Sequence, residues 1–267
     1  MRIEVLGDDE PEVAVVGGIH GDEPCGQRAV EHFLDDPPAV ERPVAFVLAN
    51  EEALEAGVRF LDEDLNRAFP GDHDADTHEG RLAARLADAI RDCTTLSLHS
   101  TQSFGEPFGI VNGIDDFARE VAPTLPIAAL VDAAGFDAGR LFHAVPRTIE
   151  IECGFQGTAE AAANGVEVTE EFLDATGVLP GSWTPSSDLP EPGSLDVFRL
   201  EDRVPKRPGS SYDLHVANFE LVASGEPFAA TDGQPVHAEA DFYPVLMSAE
   251  GYEELFGFTA SFAGTLP

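Results

Sequence analysis

Positive charge is what this 267-residue chain has least of: 15 Lys and Arg residues stand against 50 Asp and Glu, and Lys206 is the one lysine. A formal net charge of −35 argues against nucleic acid or anionic membrane as a partner, since both would be repelled. The acids are spread along the whole chain, and 43% hydrophobic residues is more than a disordered polyanion carries. The balance fits a folded protein from a halophilic source, where concentrated salt screens self-repulsion. Cysteine is also scarce. Cys25, Cys93 and Cys153 are an odd number at wide spacing, which excludes a disulfide framework and points to a reducing cytoplasm. No apolar run approaches the roughly 18 residues of a membrane span, and "MRIEVLGDDEPEV" has no signal core. A soluble, unprocessed, cytoplasmic protein is expected.

What is present is an alternation. Over residues 1–185, the short runs "VAVVGG", "VAFVLAN", "TTLSLHS", "FGIVN" and "TIEIECG" read as strands. Several are apolar on successive positions, as strands buried on both faces are. Between them "GQRAVEHFL" and "EGRLAARLADAI" carry apolar residues at helical spacing. The order predicts an α/β fold with a mixed, largely parallel central sheet and helices on both faces. In such sheets ligands gather beyond the carboxyl ends of the strands. The Pro-, Ser- and Gly-rich stretch at 179–194 reads as a linker. Residues 186–267, with alternating runs broken by turn residues, are expected to form a small β domain.

Residues with chemical potential collect at the predicted strand ends. "GGIHGDEPCG" (17–26) places His20 and Glu23 three positions apart after the first such strand, and His99 ends "TLSLH". A short-spaced pair plus one remote histidine is the usual ligand arithmetic of a catalytic zinc site, which leaves one position open for water. Alone, His-x-x-Glu arises by chance about once in a chain of this composition. On "IEIECG", Glu150 and Glu152 share one strand face by period two, and either could be a partly desolvated general base. "RFLDEDLNRAFPG" (59–71) has Arg59 and Arg67 bracketing a polar loop with Asn66, in a chain of few arginines. Guanidinium groups of this kind grip carboxylates, or they offset Asp62, Glu63 and Asp64. His73 and His78 sit in an acidic loop best read as solvated, and Cys25 and Cys153 read as packing residues.

Taken together, these four ordered segments resemble the aspartoacylase and succinylglutamate desuccinylase family, whose catalytic domain is built like a zinc carboxypeptidase. The resemblance covers nearly the whole chain, and its C-terminal part is more similar to the aspartoacylase branch. It implies one Zn2+ per subunit on His20, Glu23 and His99, and Glu152 rather than Glu150 as general base. Arg59 would polarise the scissile carbonyl, while Asn66 and Arg67 would bind a substrate carboxylate. Tyr252 would reach into the pocket from the C-terminal part. For a side-chain carboxylate of the substrate, Arg140 and Arg147 compete.

The resemblance implies zinc-dependent hydrolysis of the amide bond of a small N-acyl amino acid of the N-acetylaspartate type. The rivals are a succinylglutamate desuccinylase, a zinc carboxypeptidase, or a non-catalytic module binding a metal or metabolite. The oligomeric state is open, a homodimer included. From the charge alone, dialysis into low salt is expected to unfold the protein, visible as loss of far-ultraviolet circular dichroism; a spectrum unchanged by dialysis would contradict the halophilic assignment.

Overall fold

The computed structural model of the chain describes residues 1–136, 138–181 and 194–267. The predicted linker at 179–194 lies largely outside them. In chain order the elements are β1 (Arg2–Leu6), β2 (Val13–Gly17), α1 (Pro24–Asp35), β3 (Val44–Leu48), α2 (Glu51–Ala56), α3 (Leu65–Ala68) and α4 (His78–Ala89). They continue with β4 (Thr94–Thr101), β5 (Phe108–Val111), α5 (Asp116–Val121), β6 (Leu130–Asp132), α6 (Leu141–Ala144), β7 (Thr148–Phe155) and α7 (Ala159–Ala175). The last are β8 (Leu195–Pro205), β9 (Tyr212–Leu214), β10 (Pro227–Thr231), β11 (Gln234–His237), β12 (Tyr243–Val245) and β13 (Leu255–Leu266).

Ten strands form one sheet in the order β1-β3-β2-β4-β7-β5-β6-β8-β13-β12. Four of them, β3, β2, β4 and β7, run parallel to one another, so their carboxyl ends share one edge. Alternation within each strand divides the sheet's two faces. Val13, Val15, Leu96, Leu98, Ile149 and Ile151 pack with the apolar sides of α1 and α7. Ala14, Val16, Ala45 and Val47 pack on the other face with Leu65, Leu82, Leu86 and Leu141, from α3, α4 and α6. The predicted largely parallel sheet covered on both sides is what the chain forms.

The same alternation places the polar residues. Because Leu96, Leu98, Ile149 and Ile151 belong to the α1/α7 face, Ser97, His99, Glu150 and Glu152 fall on the opposite one. His99 and Glu152 are direct register partners on β4 and β7. At the end of β2 the chain turns through His20 to Glu23 and enters α1 with Pro24 in its first turn, where a missing N–H is harmless. The helix lies so close on the strand that a Cβ on Gly17 would stand 2.3 Å from the carbonyl oxygen of Gly26.

The C-terminal residues do more than form a separate β unit. β8 pairs in parallel with β6, and β13 runs antiparallel along β8 with β12 at the edge. The main sheet thus continues across the predicted 185/186 boundary, covering backbone groups of β6 that an open edge would expose. Only β9, β10 and β11 make the small antiparallel sheet. Among the described residues no helix is long and apolar enough to cross a membrane.

The contact between β2 and α1 yields a stability prediction. Gly17→Ala should cost roughly 1–3 kcal/mol, the usual penalty for overpacking a close contact, read as an earlier midpoint in chemical denaturation. An unchanged midpoint would show that helix and strand can separate freely.

Candidate active site

All nine predicted site residues border one cavity of about 360 Å³ at the carboxyl ends of the parallel strands. At its floor lie His20, Glu23 and His99, all buried, with ligand atoms within 4.8 Å of one another. Each imidazole turns Nδ1 toward Glu23: His20 Nδ1 is 2.8 Å from Oε1 and His99 Nδ1 is 3.2 Å from Oε2. The far nitrogens are held from behind, His20 Nε2 by Asp64 Oδ1 at 2.9 Å and His99 Nε2 by Ser97 Oγ at 3.1 Å. Partners of this kind orient metal-binding imidazoles and fix which nitrogen faces the ion. Two Nδ1 atoms and a carboxylate on one small triangle, backed in this way, fit a zinc ion in donor type and number.

Burial alone would make His20 harder to protonate, but the Glu23 and Asp64 carboxylates outweigh it and raise its pKa to about 9. Glu23 is held well below the usual carboxylate range. Its burial opposes the charge, but His20 and His99 favour it more strongly. Asp64 is lowered too, again against its own burial, by His20 and Arg59.

Arg59 bridges two of these acids, donating from Nη1 to Glu23 Oε1 at 2.8 Å and from Nη2 to Asp64 Oδ2 at 3.3 Å. Its loop is shaped by a residue that sequence reasoning passed over. Glu79, buried in the first turn of α4, accepts backbone N–H groups of Leu61, Asp62 and Glu63 at 2.8, 3.0 and 3.2 Å. Asn50 Nδ2 adds a fourth bond at 3.0 Å. Asp64 was passed over as well, counted only as a local counter-charge. No sequence signal marks it, because its histidine partner is 44 positions away.

Glu152 and Glu150 part company here. Glu152 borders the cavity, and its Oε2 is buried without a hydrogen-bond partner. Burial first, then the nearby Glu23 and Glu150 charges, raise its pKa against the pull of His99 and Arg140. Glu150 lies deeper. Its Oε2 accepts Arg140 Nε at 3.0 Å, Arg140 Nη2, and Asn66 Nδ2 at 3.3 Å.

Arg140 faces the cavity, whereas Arg147 precedes β7 at its opposite end and stacks over Phe117 with its guanidinium carbon 5.4 Å from the ring centre. Asn66 is more tied down than expected, since its Oδ1 also accepts Leu141 N–H at 2.9 Å. Gly139 lets the segment before Arg140 lie against Arg67: its φ is +95°, and a Cβ would stand 2.2 Å from the Arg67 carbonyl oxygen.

Tyr252 closes the cavity from the C-terminal part, its ring edge-on to Phe258. The turn carrying it is clasped by the single lysine. Lys206 Nζ donates to the carbonyl oxygens of Ala249 and Tyr252 and lies 4.7 Å from the ring centre of Tyr212. On the rim, Gln156 Nε2 donates to the Asp22 carbonyl at 2.8 Å, and Gln102 Nε2 donates to Gln156 Oε1 at 3.3 Å.

A mixed sheet with a buried His–Glu–His group at its strand ends defines a class of α/β folds whose site could hold a metal ion. Within it, the chain belongs to the succinylglutamate desuccinylase/aspartoacylase family, whose catalytic-domain profile matches residues 9–175. It is 42% identical over 281 aligned residues to a probable aspartoacylase of Nostoc sp., covering 91% of this chain and 92% of that protein. It is 32% identical to an N-acyl-aromatic-L-amino acid amidohydrolase (carboxylate-forming) of Xenopus tropicalis over 126 residues, 42% of this chain but only 40% of that protein's length. The crystal structure of murine aminoacylase 3 has the same fold, with a TM-score of 0.75 at 22% identity over 98% of this chain and 99% of that one.

A metal ion held at His20 Nδ1 would compete with a proton for that nitrogen. With its pKa raised to about 9, His20 is protonated in the metal-free protein near neutrality, and only the neutral imidazole binds metal. Zinc titrated into metal-free protein near about pH 7.5 should therefore release a proton, and its affinity should rise with pH until His20 is neutral. Calorimetry in buffers of different ionisation enthalpy measures both; a heat independent of buffer would contradict this account of His20.

Proposed function

We propose that this protein hydrolyses the amide bond of a small N-acyl amino acid, using one zinc ion held by His20 Nδ1, Glu23 and His99 Nδ1. The observation that carries this reading is Glu152 Oε2, a buried carboxylate oxygen without a partner, beside the His–Glu–His group and on the register partner of His99. A carboxylate kept dry and unpaired against such a group is suited to accept a proton.

Held by His20, Glu23 and His99, the ion would supply Lewis-acid activation of the attacking water and of the acyl carbonyl. Glu152 takes the proton of the attacking water at Oε2 and returns it to the nitrogen of the departing amine. Arg59, fixed by Glu23 and Asp64, presents its guanidinium to the oxygen that gains negative charge as the acyl carbon becomes tetrahedral. Arg67 binds the α-carboxylate, and Asn66 supports it from behind through its bonds to Glu150 and Leu141. Arg140 and Tyr252 bound the space left for the side chain.

Glu152→Gln should retain zinc, measured by elemental analysis, and lose about 10²–10⁴-fold in kcat, the usual contribution of a general acid–base group. Near-normal turnover would remove Glu152 from this role. A panel of N-acetyl amino acids, N-succinylglutamate and short peptides separates an acylase from a desuccinylase and a carboxypeptidase. Zinc binding without turnover on any of them would instead support a binding module.

A further inference from the structure

A buried carboxylate without a catalytic task stands behind the cavity. Glu150 is 1% exposed and sits two residues before the proposed base, on the same strand face. Its Oε2 accepts from Arg140 Nε at 3.0 Å and from Arg140 Nη2, so the guanidinium is gripped along one edge. The face of that guanidinium is covered as well, with its carbon 5.2 Å from the ring centre of Phe142. Arg59 is committed in the same manner to Glu23 and Asp64. Arg59 and Arg140, both bordering the cavity, are therefore paired with carboxylates of the protein itself.

This bears on the substrate's side chain. A carboxylate taken out of water needs a counter-charge or several donors, or the desolvation is not recovered. Beside Arg140 it would meet a cation whose charge is cancelled at contact distance, with Glu152 close by and repelling it. An uncharged side chain needs no counter-ion and can still accept a hydrogen bond from the remaining Arg140 N–H groups.

We propose that Glu150 sets side-chain selectivity: by neutralising Arg140 it makes the subsite between Arg140 and Tyr252 one for uncharged side chains. The preferred substrates are then N-acyl amino acids with a single carboxylate. The acidic side chain suggested by the family resemblance is disfavoured. This inference rests on the amidohydrolase reading, and Glu150 acts in it as a positioning residue through Arg140.

N-acetyl-L-asparagine and N-acetyl-L-aspartate are nearly equal in shape and differ in one charge. With the zinc-loaded protein, kcat/KM should favour the asparagine compound by at least about tenfold, equivalent to about 1.4 kcal/mol. In Glu150→Gln the ratio should swing toward aspartate by a similar factor, mainly through KM. A merely structural role would lower both substrates alike. Calorimetric titration of the two compounds into metal-free wild-type protein should give the same order of affinity, a readout independent of catalysis and of the variant's folding. Preference of the wild type for aspartate, in turnover or in binding, overturns the proposal, as does a folded Glu150→Gln with an unchanged ratio. Absence of turnover on every N-acyl amino acid would instead remove the amidohydrolase reading, and the calorimetric order would still decide the selectivity.

Discussion

Glu23 carries a negative charge to a depth where water cannot solvate it, and four polar groups meet it there. His20 Nδ1 and Arg59 Nη1 reach Oε1, while His99 Nδ1 and the backbone N–H of Ser100 reach Oε2. A buried carboxylate is tolerable only when it is saturated in this way, so its position dictates those of its partners. The β2–α1 turn must deliver His20, β4 must end at His99, and the 59–64 loop must fold back over both. The tight packing of α1 on β2 through Gly17 and Gly26 follows from the same demand, since Glu23 directly precedes the helix.

Much of this was legible in the chain because it depends on short-range rules. Apolar runs that alternate with helical spacing identify a sheet covered on both faces, and parallel strands bring His20, His99 and Glu152 to one edge without further information. The choice between Glu150 and Glu152 was not legible from spacing. Period two assigns them the same face, and what separates them is a guanidinium and an amide from Arg140 and Asn66, 10 and 84 positions away. Glu79 was invisible for another reason: its partners are mostly backbone N–H groups, which any sequence supplies. The extension of the main sheet by β8, β13 and β12 was missed in part because β13 is punctuated by Gly257 and Gly264, and glycines weaken a strand pattern.

The acids of the site divide into three kinds of work. Glu23 sits between the imidazoles as a ligand does. Asp64, Glu79 and Glu150 hold other groups in place: an imidazole with an arginine, a loop backbone, and a second arginine. Glu152 borders the cavity with one oxygen that has no hydrogen-bond partner, as Glu150 and Asp22 also have at one oxygen each.

The scarcity of lysine has its own consequence at Lys206. Its ε-amine is the chain's one nucleophilic side-chain amine, and it is clipped onto the carbonyls of Ala249 and Tyr252. Reagents that acylate or reductively alkylate lysines thus have a single side-chain target, which fastens one wall of the cavity. Covalent modification there would act as a site-directed wedge under Tyr252, leaving β2, β4 and β7 untouched.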